Sequence, residues 1–232
     1  MAPVTRQQEL ADNLVGVQAR LAAACTAAGR PREDVTLVAV TKTWPASDCA
    51  LLRDLGLVEL AENREAEARD KAAAVTGVRW HFVGGVQTNK ARRVASYADV
   101  VESLDRPALV DALAAGAVRV GRTVQVLVQV SLDGDPARGG AVPDDVPALA
   151  AAVASAQGLV LGGVMAVAPR DVDPTAAFAV LRRVSEGLRV DHPEARVISA
   201  GMSGDLEQAV AAGATHVRIG TALLGHRPAP LG

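Results

Sequence analysis

Eight short apolar runs, most of them rich in valine, punctuate the chain at residues 35–40, 57–61, 78–83, 98–102, 124–130, 159–167, 196–199 and 215–219. They are continuous rather than alternating, the pattern of strands buried on both faces of a parallel sheet. Helical segments lie at 5–29, 46–55, 64–75, 89–97, 107–118, 146–156, 174–189 and 205–212, and a last short helix is expected from Gly220 onward. Strand and helix therefore alternate, with the first helix additional to the repeat. Gly29 followed by Pro31 stops the first helix, and Gly213 stops the one that begins near Asp205. Asp173-Pro174 reads as an N-cap with proline at the first helical position. Eight strands with no linker-like stretch predict an α/β fold: one closed (β/α)8 barrel over residues 1–232, a single domain with an extra N-terminal helix. A doubly wound open sheet is the competing architecture. Against it, no GxGxxG follows the first strand and no phosphate-loop glycine-lysine motif occurs anywhere.

Composition changes this picture little. The chain of 232 residues is half apolar and 22% charged, with a net charge of −2. That is an ordinary soluble balance, with no electrostatic reason to expect nucleic acid or an anionic membrane. The two cysteines, Cys25 and Cys49, form no CxxC pair, which fits a reducing, cytoplasmic setting. His81, His192, His216 and His226 are scattered without zinc-like spacing, so no metal site is expected. Residues 1–14 carry Arg6, Glu9 and Asp12 and lack the apolar core of a signal peptide. The uncharged stretch 146–169 has the length of a membrane span, but Pro147 and Gln157-Gly158 interrupt it. A buried helix, a turn and a buried strand account for it better. No surface reads as a dimer seam, and a monomer is the expectation.

In a barrel of this kind the chemistry sits where strands end and loops begin. The first strand runs into Thr41-Lys42-Thr43-Trp44-Pro45. A lysine there is expected to be partly desolvated, which frees its amine to attack a carbonyl; alternatively it is an ordinary solvated loop lysine. The second strand ends in Glu62-Asn63, and the third carries His81 within an apolar run. Asn63 and Asn89 read equally as helix N-caps, and His81 as a hydrogen-bonded core residue. The seventh strand leads into Gly201-Met202-Ser203-Gly204-Asp205 and the eighth into Arg218-Ile219-Gly220-Thr221. Glycine-containing strand-to-helix turns with a hydroxyl cradle phosphate, and the loops after strands seven and eight are a barrel's usual phosphate site. The plainer account makes Ser203 and Thr221 helix caps, and Arg218 part of a salt bridge near the rim. A lysine facing a phosphate cradle across a barrel mouth is the standard requirement for pyridoxal 5′-phosphate (PLP).

These residues resemble the pyridoxal phosphate homeostasis protein family of the YggS/PROSC type, similar to the barrel domain of alanine racemase standing alone. The resemblance runs from Leu37 to Arg227. It rests on Ala39-Val40-Thr41-Lys42-Thr43-Trp44-Pro45, Glu62-Asn63, Trp80-His81-Phe82-Val83-Gly84 with Gln87-Thr88-Asn89-Lys90, Gly163-Val164-Met165-Ala166 and the two glycine turns. Each motif is weak alone, and six in order are specific. The resemblance implies a PLP fold-type III-like barrel in which Lys42 carries PLP as a Schiff base. It also implies that Ser203 and Gly204, with Gly220 and Thr221, hold the phosphate. Arg218 would face the pyridine nitrogen, and Asn63 and Met165 would line the ring pocket. Gly85 stands where the family usually has proline and Arg64 where an aromatic is common, both at the rim.

A two-base PLP racemase needs an acid or base opposite the lysine. The sole tyrosine, Tyr97, precedes the fourth strand and lies on the wrong face. An arginine at the ring nitrogen would also weaken carbanion stabilisation. The expectation is therefore a PLP-binding homeostasis protein that buffers the cofactor and supplies it to PLP-dependent apo-enzymes, without efficient turnover. The alternative is a racemase, decarboxylase or aldolase with a single lysine base, for which His81 is the one further acid/base candidate. A phosphosugar aldolase using Lys42 is the third reading.

Overall fold

The computed structural model describes residues 4–225, which leaves His226, Arg227 and the proline-rich segment after them outside the described residues. The strands are β1 Thr36–Val40, β2 Glu59–Glu62, β3 Arg79–Phe82, β4 Val100–Leu104, β5 Val124–Gln129, β6 Leu159–Met165, β7 Val197–Ser199 and β8 His216–Ile219. All neighbours are parallel, and β8 pairs with β1, which closes the barrel. The helices are α1 Arg6–Ala27, α2 Ala46–Asp54, α3 Glu65–Ala74, α4 Thr88–Tyr97, α5 Pro107–Arg119, α6 Val146–Ser155, α7 Pro174–Asp191, α8 Leu206–Ala211 and α9 Thr221–Leu224. The apolar runs locate every strand, with ends that differ by two residues at most. Asp173 caps α7 by accepting from the Thr175 amide at 3.0 Å, with Pro174 at the first helical position. Among the described residues, no helix is long and apolar enough to cross a membrane. The uncharged stretch 146–169 is α6, a turn and β6.

Two apolar clusters fill the space between sheet and helices. One joins α4 to α7 with the outward faces of β4, β5 and β6. The other joins α1, α2, α8 and α9 with Leu37, Ala39, Leu60, Val217 and Ile219. Val101 and Leu104 of β4 both face the helices because a register irregularity against β5 falls between them; an extra residue there breaks the alternation. Gly163 has φ +147°, and a Cβ there would sit 2.0 Å from the Val197 carbonyl oxygen, so β6 and β7 approach this closely only with glycine.

The barrel interior is divided. Val100, Leu127 and Met165 form a small apolar cluster. Beside it runs a chain of buried polar groups that crosses the lumen from β3 and β4 to β7 and β8.

Candidate functional site

That chain begins at His81, 2% exposed on β3. Its Nδ1 lies 2.6 Å from Glu102 Oε1 and its Nε2 2.6 Å from Glu59 Oε2. Ser199 Oγ donates to Glu102 Oε2 at 2.6 Å, and Arg218 Nη1 donates to Ser199 Oγ at 2.6 Å. Arg218 Nη2 donates to the Ala166 carbonyl at 2.9 Å, at the C-terminal end of β6. Burial alone would pull the His81 imidazole down, but hydrogen bonds and charge from Glu102 and Glu59 overcome it and push the ring up to about 9. Burial would raise Glu102, yet His81 and Arg218 hold it down at about 2. With both ring nitrogens against carboxylates, His81 is an imidazolium in the neutral range. It is therefore a core residue and is not brought to the mouth as a free acid or base. The single-base enzyme reading loses its second proton carrier by this geometry. Arg218 is likewise interior rather than at the rim, paired with Glu102 at 3.5 Å.

Lys42 stands two residues past the end of β1. The Trp44 amide donates to the Thr41 carbonyl at 3.1 Å, closing a turn over Lys42 and Thr43. Thr43 has φ +70°, the third-position requirement of a type II turn, and among the described residues it is the one non-glycine with positive φ. Lys42 is exposed, where a partly desolvated amine was expected. Lys42 shares a cavity of about 160 Å³ with Val40, Thr43, Trp44, Gly220, Thr221 and Gly225. The chain has three lysines, Lys42, Lys71 and Lys90. Lys71 is buried in ion pairs and Lys90 lines a separate cavity on α4, so Lys42 alone stands beside the glycine turns.

The β7–α8 turn, Gly201 to Asp205, packs against β8, where the Arg218 amide donates to the Gly201 carbonyl at 2.9 Å. Gly201 has φ +93°, and a Cβ there would meet Ala209 Cβ at 2.6 Å, so the turn requires glycine. Asp205, not Ser203, serves the turn: its Oδ1 accepts from the Met202 amide at 2.6 Å. The cap of α9 is Gly220, not Thr221. Ser203 and Thr221 are thus not spent as helix caps. Among the described residues, the Ser203 and Gly204 amides make no protein hydrogen bond, and a Cβ at Gly204 would meet open space. A phosphate fits such a loop, and the amine of Lys42 fits an aldehyde.

Two expected ring-pocket residues lie elsewhere than beside Lys42. Met165 is 1% exposed and packs inside the barrel on Val100 and Leu127, beneath the mouth. Asn63 lines a cavity of about 110 Å³ with Glu65, Phe82 and Lys90, on the α3–α4 side. Neither Asn63 nor Asn89 caps a helix; Arg64 and Gln87 hold those positions. No metal-ligand cluster occurs among the described residues, and both cysteines are free and buried. Sequence reasoning missed Lys71, Glu67, Glu59 and Glu102 as parts of buried networks. The i, i+4 spacing of Glu67 and Lys71 was the available signal.

A closed parallel barrel with an amine on the first strand's loop and glycine turns after the seventh and eighth defines a recognisable class. The chain belongs to the alanine racemase N-terminal domain family, whose model matches residues 13–228, and within it to the pyridoxal phosphate homeostasis proteins. It is 42% identical to the pyridoxal phosphate homeostasis protein of Mycobacterium tuberculosis, over 96% of this chain and 94% of the relative. It is 37% identical to that of Escherichia coli, over 94% of this chain and 97% of the relative. PipY of Synechococcus elongatus, solved with PLP bound, superposes with a TM-score of 0.81 at 31% identity, covering 93% of this chain and all of PipY. Alanine racemase of Corynebacterium glutamicum shares the fold at 16% identity and a TM-score of 0.71, with 63% of its chain covered.

Proposed function

We propose that this chain is a PLP-binding homeostasis protein that holds the cofactor on Lys42 and gives it up to apo-enzymes. The observation that carries the reading is the shared cavity of Lys42 with the Gly220-Thr221 turn, the other two lysines being engaged elsewhere. PLP bound to PipY, a relative of this length and fold, supports it. When bound, PLP supplies an aldehyde for a primary amine and a phosphate for backbone donors. Lys42 offers the amine from an exposed turn. Ser203 and Gly204 offer free amides, and Gly220 with Thr221 closes the other side of the cradle. Arg218, kept charged beside Glu102, is the donor for the pyridine nitrogen. Met165 lies beneath the pocket, and Asn63 lines a separate cavity on the α3–α4 side.

The same reading has residues 1–232 acting as one barrel domain, as a monomer, in the cytoplasm, where free cysteines persist. Efficient turnover is not part of it. Among the described residues, neither His81 nor Tyr97 serves the alternative, a racemase or decarboxylase with a single lysine base, as a second proton carrier: His81 is locked between carboxylates, and Tyr97 donates to the Glu65 carbonyl at 3.4 Å. The test is the visible absorbance of the purified protein incubated with PLP, beside Lys42→Ala. A band present in the wild type, lost in Lys42→Ala and on borohydride reduction, is expected. No band in excess PLP would remove the reading. Amino-acid racemisation by the PLP-loaded protein would favour the alternative.

A further inference from the structure

α3 carries a lysine where a solvated helix face would be expected. Arg69 and Asp70 are exposed, but Lys71 is 5% exposed. Its ammonium has three protons and three acceptors: Glu62 Oε1 at 2.5 Å, the Thr41 carbonyl at 2.9 Å and Glu67 Oε1 at 3.1 Å. The carboxylates do more than neutralise it. Glu62 Oε1 also accepts from Thr41 Oγ1 at 2.6 Å, and Glu67 Oε1 accepts from the Thr43 amide at 2.7 Å. Three polar atoms of the residues flanking Lys42 are therefore tied to one triad, in which Lys71 and Glu62 are buried and Glu67 is partly exposed. Thr43 needs the tie, because a β-branched residue holds positive φ only where its surroundings over-determine it. A buried ion pair is weak evidence for stability and better evidence for specifying one geometry.

We propose that Lys71 is a positioning residue: through Glu62 and Glu67 it fixes the Thr41–Trp44 turn that presents the Lys42 amine, and so sets how fast Lys42 captures its aldehyde. This rests on the PLP reading above. Lys42 is the residue that touches the ligand; Lys71 acts through the turn.

The experiment has a ligand-free arm and a ligand arm, run on wild type, Lys71→Met, Lys71→Arg and Glu67→Ala. The first arm is amide hydrogen exchange at Thr43 and Trp44. The second is the rate of PLP capture followed by absorbance, with melting temperature measured alongside. In Glu67→Ala, exchange at Thr43 is expected to accelerate and PLP capture to slow about tenfold, as a misplaced amine requires, while the melting temperature moves by only about 3 °C. Lys71→Met gives a larger effect, and Lys71→Arg recovers part of it. Where Lys71→Met does not fold, Glu67→Ala decides. Unchanged exchange at Thr43 in Glu67→Ala, or capture slowed only where the melting temperature collapses, overturns the proposal. A wild type that captures no PLP, or Lys42→Ala capturing it equally fast, instead overturns the PLP reading, and the exchange arm still decides whether Lys71 holds the turn.

Discussion

His81 and His216 sit with ring centroids 6.3 Å apart, yet their environments drive them in opposite directions. Two carboxylates raise His81 to about 9, while burial lowers His216 to about 4. The folded state therefore binds the His81 proton more tightly than the unfolded chain does. That contribution is complete below the ordinary value of 6.5 and is lost as pH rises through about 9. His216 contributes the reverse: its stabilisation is present above 6.5 and is lost as pH falls toward about 4. Urea unfolding across the pH range should show stability declining on both sides of neutrality, with the alkaline loss on the order of 3 kcal/mol. Glu102→Gln should flatten the alkaline limb. A wild-type profile level through the alkaline range would contradict the imidazolium assignment. Sequence placed His81 in an apolar strand, but nothing along the chain says that Glu59 and Glu102 meet it. They come from neighbouring strands, 22 and 21 residues away, and only barrel register brings them together.

Among the elements, α1 stands outside the β/α repeat and yet reaches the β7–α8 glycine turn and the end of α9. Arg20 donates to the Ser203 carbonyl at 2.7 Å and to both oxygens of Glu207 at 2.6 Å. Asn13 donates to the Leu223 carbonyl and Arg6 to the Leu224 carbonyl, each at 3.0 Å. Arg6 also bonds Asp48 of α2 and stacks over Trp44 at 4.3 Å, next to the Lys42 turn. Arg20→Ala is expected to cost only about 1 kcal/mol of stability, because its ion pair is partly exposed. It should release PLP about fivefold faster, the equivalent of one net hydrogen bond at the β7–α8 turn. Displacement of PLP by an acceptor protein, timed by absorbance, checks this; an unaltered rate would leave α1 with a packing role alone. The elements themselves were legible because strands buried on both faces read as unbroken apolar runs. The run at 98–102 started two residues early: Ala98 and Asp99 continue the apolar stretch only in part, whereas Ser103, inside β4, carries no apolar signal. The burial of Lys71 was hidden for the opposite reason, although its i, i+4 pairing with Glu67 was readable. A charged residue in Glu-Ala-Arg-Asp-Lys reads as solvated until the strand-end Glu62 is seen beneath it.

On the scale of the whole molecule, three lysines make the ligand site unusually easy to map. Borohydride trapping of PLP followed by peptide mass mapping should place the label on Lys42 alone. Label on Lys90 would move the site to the α3–α4 side, where Asn63 lies. The motif residues of the mouth were readable in order, but their spatial partition was not. Lys42, Gly220 and Thr221 come together, whereas Met165 lies beneath the mouth and Asn63 faces another cavity. Strand-end position announces that a residue reaches the mouth; it does not announce the direction of its side chain. The seating of α1 has a further consequence for how the chain is made. Its bonds to Ser203, Leu223 and Leu224 span 183, 210 and 218 residues. At the pace of synthesis this helix leaves the ribosome roughly 10–40 s before its partners exist. Until then its apolar stripe of Leu10, Leu14, Val17 and Leu21 can meet only early neighbours such as Leu37 and Leu52, and the brace on the β7–α8 turn and α9 forms once Leu206, Val210, Leu223 and Leu224 exist to cover the rest.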